Sequence, residues 1–352
     1  MTERPGLVAL FGSGETSASG RKVYDWLLGR LSPPIQVAML ETPAGFEPNS
    51  AQVAGRVADF FRHRLQNYRP QVTVVPARKR GTSFSPDDPA IVAPLLVANV
   101  IFLGPGSPTY AVRQLRDSLA WQIVVARHRL GAAVILASAA LIAASARALP
   151  VYEIYKVGEE PHWHDGLDFF GPYGLSLVFV SHWNNREGGA DLDTSRCFMG
   201  QARFAQLLAL LPADVTVVGI DEHTALVVDL EAETCRVMGR GGVTLLQGGG
   251  EERLTRGQTF PVGELGHFQK PEPEAGIPLE VWERVLAARS KAQVAPEPSS
   301  EVLALVEERE AARARRDWAA ADALRERIAA LGWRVTDTPT GPSLEPLSEK
   351  AG

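Results

Sequence analysis

Ser138 stands where an apolar run, Ala-Val-Ile-Leu-Ala (133–137), meets a helix-like Ala-Ala-Leu-Ile-Ala-Ala. A serine on a sharp strand-to-helix turn is exposed at the carboxyl edge of a sheet. There the N–H of the next residue, here Ala139, can face a developing oxyanion. Such a turn needs small neighbours, which Ala137, Ala139 and Ala140 supply, although Leu136 occupies a place where glycine is usual. The plainer reading is a serine packed at a helix start. A second cluster, His162, His164 and Asp165, has metal-binding residue types. With no further ligand identified it reads as surface polar residues, and no metal is expected. The stretch Gly12 to Gly20 has the glycine content of a phosphate loop but lacks the Gly-Lys-Ser/Thr ending. It reads as a strand-to-helix turn bordering the site.

These residues need elements to hold them. Short aliphatic runs alternate with longer amphipathic stretches, the sequence form of βαβ units and a mostly parallel sheet. Strands are expected at Leu7 to Phe11, Gln36 to Leu40, Val72 to Val75, Val100 to Leu103, Ala133 to Ala137, Leu177 to Val180 and Val215 to Ile220. Helical patterns include Gly20 to Leu31, Ser50 to Leu65, Thr109 to Ser118 and Thr194 to Leu211. Because the strand runs are nearly continuous and apolar, both faces of the sheet should be covered. The fold class is therefore α/β, a three-layer α/β/α sandwich. From Leu226 to Leu246 the pattern becomes short strands with glycine-rich turns, an antiparallel closing section. The expected division is an α/β domain over 1–270, a Pro/Glu-rich linker with a short helix over 271–300, and a helical hairpin over 301–345.

Composition narrows the function classes. The 36 Lys and Arg against 41 Asp and Glu leave a formal charge of −5, so no overall positive field exists to hold a polyphosphate backbone. Cys197 and Cys235 lie far apart, with neither metal-ligand spacing nor a disulfide framework, which points to a reducing, cytoplasmic compartment. The first apolar stretch is too short for a secretory signal, and the longest, Ala132 to Ala146, is broken by serines and closed by Arg147. No membrane association is expected.

Four stretches together carry a family resemblance: Leu-Phe-Gly-Ser-Gly-Glu (10–15), Val-Ile-Phe-Leu-Gly-Pro-Gly-Ser-Pro (100–108), Leu-Ala-Ser-Ala-Ala (136–140) and Gly-Ile-Asp-Glu-His-Thr-Ala-Leu-Val-Val (219–228). In that order they resemble the serine peptidases of the cyanophycinase and aspartyl dipeptidase family, relatives of the class I glutamine amidotransferases. The resemblance implies a flavodoxin-like, class I glutamine amidotransferase-like sheet with a Ser-His-Glu triad. Ser138 takes the nucleophile position, though the family's Gly-x-Ser-Ala-Gly-Ala is here Leu-Ala-Ser-Ala-Ala-Leu, without either glycine. His182, after the apolar strand, matches the general base, and Glu222 the carboxylate that orients it. Gly104 and Gly106 match the turn that supplies an oxyanion N–H; Pro105 between them has none to give. A hydrogen-bonded core histidine and a strand-end cap are the plainer readings of His182 and Glu222. The family's taste for acidic side chains implies an arginine after the histidine, for which Arg186, Arg196 and Arg203 are candidates. The polar segment His182 to Gly200 could form a lid or reshape the pocket.

Residues 315–325, Arg-Arg-Asp-Trp-Ala-Ala-Ala-Asp-Ala-Leu-Arg, followed by Leu-Gly-Trp (331–333) and Asp-Thr-Pro-Thr-Gly (337–341), resemble the C-terminal helical segment of cysteinyl-tRNA synthetases. The chain has neither the nucleotide-site motifs nor the zinc-ligand cysteines of those enzymes. Its tail arginines are nearly balanced by acids, so self-association or another protein partner through the Ala/Leu/Ile stripe is the plainer reading of that helix, ahead of tRNA. A homo-oligomer fits the same stripe.

The expected function is a cofactor-free serine hydrolase that cleaves a small acidic peptide or related amide. The alternative is a catalytically degenerate amidotransferase-like binding or scaffolding protein linked to tRNA metabolism by its tail. An amidotransferase proper would need a cysteine where Ser138 stands.

Overall fold

The computed structural model describes residues 4–293, 298–338 and 341–347. The chain divides into two compact units, residues 1–288 and 289–352. In the first, β1 (Val8–Phe11), α1 (Ala18–Leu28), β2 (Gln36–Leu40), α2 (Ser50–Arg64) and β3 (Gln71–Val75) open the chain. Next come α3 (Pro89–Val92), β4 (Val100–Leu103), α4 (Pro108–Leu115), α5 (Leu119–Arg129), β5 (Ala133–Ala137) and α6 (Ala139–Ala143). Then follow β6 (Arg147–Ala148), β7 (His164–Asp165), β8 (Leu177–Val180), α7 (Gly200–Ala209), β9 (Thr216–Ile220) and β10 (Thr224–Asp229). The unit closes with β11 (Thr234–Gly239), β12 (Gly242–Gln247), β13 (Gly250–Thr255) and β14 (Thr259–Pro261), and with most of α8 (Leu279–Gln293).

An eight-stranded sheet runs in the order β14-β11-β10-β1-β5-β4-β2-β3. Its five strands β1, β5, β4, β2 and β3 are mutually parallel, and β10, β11 and β14 extend it antiparallel. Period-two alternation splits each central strand between two cores. Ala9, Phe11, Val37, Met39, Val100, Phe102, Ile135 and Ala137 face α1 and α2 through Tyr24, Leu27, Val57 and Phe61. Leu10, Leu40, Leu103, Val134 and Leu136 face the opposite layer, which holds Trp121, Ile123 and Val124 of α5. This is the layered, parallel-rich α/β architecture expected, but one detail differs. Leu177–Val180 and Thr216–Ile220 leave the main sheet and form a second, four-stranded one, β13-β12-β9-β8. Alternation again explains why they can: Phe179 and Val218 join the core over the main sheet, while Val178 and Val217 join a third core with α4, α6 and α7.

The stretch read as linker is partly structured. Val281, Trp282 and Val285 of α8 are buried in the first unit's core, so its apolar face, not the surrounding prolines, decides its place. In the second unit α9 (Ser300–Ala314) and α10 (Trp318–Ala330) form the expected helical hairpin, turned at Arg316, which adopts a left-handed φ of 61°. Two strands not anticipated, β15 (Trp333–Thr338) and β16 (Gly341–Pro346), pair antiparallel after it. Trp333 and Val335 pack there with Val302, Leu305, Val306 and Ile328. Arg309, almost wholly buried, is held by Glu310 and bidentately by Asp337.

Among the described residues no helix is long and apolar enough to cross a membrane. Phe61 lies at the centre of the α1/α2 layer, with rings of Tyr24 and Phe102 at 4.7 and 6.2 Å. Phe61→Ala should therefore cost about 3–5 kcal/mol of stability, read from urea unfolding.

Candidate active site

The turn after β5 is the first part of the site. Ser138 has φ 52° and ψ −111°, a conformation that costs of order 1–3 kcal/mol outside glycine and needs external restraint. The restraint is visible on both sides. Ser138 N–H donates to the Phe11 carbonyl at 3.0 Å, and Ala140 N–H to the Gly104 carbonyl at 3.3 Å. Gly104 thus serves this turn through its C=O. The missing glycines are tolerable because Leu136 turns into the core and the alanines at 139 and 140 keep α6 slim. Ala139, first in α6, has no intrahelical acceptor for its N–H.

The second part follows β8. His182 also has a left-handed backbone, φ 50°. Its N–H donates to the Gly12 carbonyl at 3.3 Å, while its own carbonyl accepts from Asn185 and Cys197. Beyond it Arg196, Cys197 and Phe198 are three consecutive left-handed residues, with φ 56°, 57° and 69°. They fold the polar segment back against the histidine.

The third part is the β9–β10 turn. Asp221, 1% exposed, accepts from Gly242 N–H at 2.8 Å and from Arg253 at 2.5 Å, and so anchors the turn. Glu222 follows it. Asn184 Oδ1 accepts the Glu222 N–H at 2.8 Å, and Asn185 donates to Glu222 Oε1 at 3.1 Å. These two asparagines were part of a merely polar stretch in the sequence; nothing in their type marks them as clamps for a distant carboxylate.

The turn Gly12 to Gly14 runs beneath all of this. A Cβ on Gly12 would lie 2.3 Å from the Asp221 carbonyl oxygen, and one on Gly14 would lie 2.4 Å from the His223 ring. The glycines permit close approach of backbone to the Glu222 turn, and Ser13 Oγ accepts the His223 N–H.

Together these elements bring Ser138 Oγ to 3.0 Å from His182 Nε2, and His182 Nδ1 to 3.0 Å from Glu222 Oε1. A carboxylate only accepts, so Nδ1 carries the proton and Nε2 is left to accept from the serine hydroxyl. The hydrogen bond from His182, reinforced by Asn185, holds the Glu222 carboxyl below its usual range. Burial pushes the neighbouring Cys197 thiol up to about 12, which leaves it a neutral wall residue.

Gly106, with φ 148°, borders the same pocket; a Cβ there would sit 1.9 Å from the Pro43 carbonyl oxygen. The pocket holds only about 50 Å3 and is lined by Gly106, Ser138, Ala139, Tyr152, His182 and Phe198, among others. A larger cleft of about 870 Å3 also includes Tyr152 and continues past Ser107, Tyr110 and Arg113.

The three arginines singled out in the sequence sit elsewhere. Arg196 stacks its guanidinium 3.9 Å over the Trp183 ring, and neither it, Arg186 nor Arg203 lines the pocket or the cleft. The arginine that does line the cleft with no ion pair among the described residues is Arg113 of α4, a residue whose helical setting gave no sequence signal. His162 and His164 meet edge to face, and Asp165 pairs with Arg147. Among the described residues no group of three or more His, Cys, Asp or Glu is placed to hold a metal ion.

Since the Glu222 carboxyl is held below its usual range, its contribution to stability is complete above that range and is lost as the pH falls through its lowered value. Urea midpoints followed from about pH 6 down to about pH 3 should fall less steeply in Glu222→Gln than in the wild type. Gly106→Ala should lower stability as well, because both the contact and the backbone angle exclude a side chain.

Comparison with known proteins treats the two units differently. Over 74% of this chain and 98% of the other, the structure superposes on a peptidase from an acI-B1 Actinobacterium, with a TM-score of 0.59 and 22% identity. A putative peptidase E protein from Listeria monocytogenes gives a TM-score of 0.42 and 12% identity, over 71% of this chain and 100% of the other. Residues 295–341 match the family described as the cysteinyl-tRNA ligase anticodon binding domain. Cysteine–tRNA ligase 1 of Burkholderia lata is 49% identical over 59 residues, 17% of this chain and 13% of the ligase. The Opitutus terrae ligase is 47% identical over 76 residues, 20% of this chain and 17% of the ligase. The chain thus spans less than a fifth of the length of these ligases. Its main α/β unit shares the fold of the acI-B1 protein, and its C-terminal segment matches the family described as the cysteinyl-tRNA ligase anticodon binding domain.

Proposed function

We propose that the first unit is a serine-type hydrolase that cleaves a peptide or related amide through Ser138, His182 and Glu222. The observation that carries this reading is the pair of 3.0 Å contacts that joins the three side chains in order. His182 Nε2 takes the hydroxyl proton as Ser138 Oγ attacks the substrate carbonyl carbon. The Ala139 and Gly106 N–H groups receive the oxyanion. His182 then returns the proton to the leaving amine, and water repeats the sequence on the acyl-enzyme. Glu222 holds the imidazole in the tautomer required and balances its charge when protonated. The substrate class is that expected from the sequence, a small acidic peptide or related amide, although Arg186, Arg196 and Arg203 line neither the pocket nor the cleft.

A fluorophosphonate probe tests this directly. Labelling should occur in the wild type, vanish in Ser138→Ala, and slow by roughly 10³-fold or more in His182→Ala. A folded wild-type protein that does not label would instead support the degenerate binding or scaffolding reading.

A separate reading concerns the second unit. Its match to an anticodon binding domain, with exposed Arg315, Arg316, Arg325, Arg327 and Arg334 that make no ion pair among the described residues, supports tRNA as its partner. The full chain should then bind bulk tRNA with an affinity that falls steeply as salt rises from about 50 to about 200 mM, because each phosphate neutralised by an arginine releases a counterion. Absence of binding at low salt would leave a protein partner or self-association.

A further inference from the structure

The pocket at Ser138 is too small to hold a substrate by itself. Its volume is about 50 Å3, whereas sites that enclose small molecules run from roughly 300 to 1,000 Å3. The adjoining cleft, at about 870 Å3, lies within that range, and Tyr152 belongs to the walls of both. The cleft, which meets the pocket at Tyr152, has room for the bulk of a substrate that reacts at Ser138.

Its walls are specific in character. Phe46, 49% exposed, packs its ring 5.2 Å from that of Tyr110, and Tyr152 is 42% exposed, so open aromatic surface is available. Arg113 lies with its guanidinium 5.2 Å from the Tyr110 ring centroid, where the ring orders the cation without neutralising it. Two carboxylates, Glu47 and Glu153, also line the cleft, and among the described residues neither they nor Arg113 forms an ion pair. Glu47, Tyr152 and Glu153 line the cleft together, and burial, followed by the charges of Cys197, Glu47 and Glu153, raises the Tyr152 phenol above its ordinary value. Arg116 and Asp165 also line the cleft but pair with each other, so it offers one cation and two anions without an ion pair among the described residues, together with apolar aromatic faces. A ligand complementary to all three has a carboxylate, an ammonium group and a flat apolar side chain.

We propose, building on the hydrolase reading above, that the cleft binds short peptides with both ends free and an aromatic residue between them. Arg113 receives the C-terminal carboxylate, Glu47 and Glu153 receive the N-terminal ammonium, and Phe46 with Tyr110 receives the aromatic side chain. End-blocked peptides lack one or both terminal charges, and a long chain cannot bring both of its ends into the cleft together, so the same groups exclude both.

Calorimetry on the full-length Ser138→Ala protein tests the binding without turnover. Four tetrapeptides serve as probes: Ala-Asp-Phe-Ala with free ends, its N-acetyl form, its C-terminal amide, and Ala-Asp-Ala-Ala. The first should bind about 10-fold or more tightly than each of the others. Arg113→Gln should erase the penalty for the amide alone, Glu153→Gln should reduce that for the acetyl form alone, and Phe46→Ala should erase that for loss of the aromatic residue. Equal binding of the four, binding of none, or penalties that survive the substitutions would overturn the assignment. Fluorophosphonate labelling of the wild type is scored separately. Labelling without selective binding removes the cleft assignment and keeps the hydrolase; selective binding without labelling removes the hydrolase and keeps a peptide site.

Discussion

The contact between Ser138 and His182 joins two sheets. Ser138 closes a strand of the eight-stranded sheet, His182 a strand of the four-stranded one, and Glu222 lies in the turn by which the chain passes from the second back to the first. A hydrogen bond tolerates only a few tenths of an ångström of slip. The relative placement of the two sheets must hold to that tolerance. The turn after β1 is the brace, since the Gly12 carbonyl receives His182 N–H, the Gly12 N–H reaches the Thr224 carbonyl, and Ser13 caps His223. The glycine-rich stretch read from the sequence as a strand-to-helix turn bordering the site is also a brace between the sheets.

Much of this was legible from residue order. Strands such as Ala133–Ala137, Val100–Leu103 and Leu177–Val180 begin and end as their apolar runs do, because burial on both faces leaves no polar position inside them. Ser138, His182 and Glu222 could be named from strand ends and from the family resemblance. Sheet membership was not legible: Leu177–Val180 has the composition of a central strand of either sheet, and only its partners decide. The left-handed backbone at 182 and 196–198 was equally hidden, since no glycine marks it. Strain there is compensated by tertiary hydrogen bonds that sequence pattern does not encode.

The arginines show a related limit. A guanidinium can satisfy itself on a carbonyl, a ring or a carboxylate, and residue type does not choose among them. Arg196 rests on Trp183, Arg309 is buried among carboxylates, and Arg113 lies over a tyrosine within a cleft. Position in the fold, more than proximity to His182 along the chain, separates the settings of these three arginines.

The two units have separate cores. The second relies on a small group of buried side chains, Val302, Leu305, Val306, Ile328, Trp333 and Val335, whereas the first is built on three larger clusters. Small domains bury a lesser fraction of their surface and are correspondingly marginal. Heating this chain is therefore expected to unfold the two units in separate transitions, each with its own midpoint. A ligand that raises the midpoint of one transition alone would report which unit it occupies.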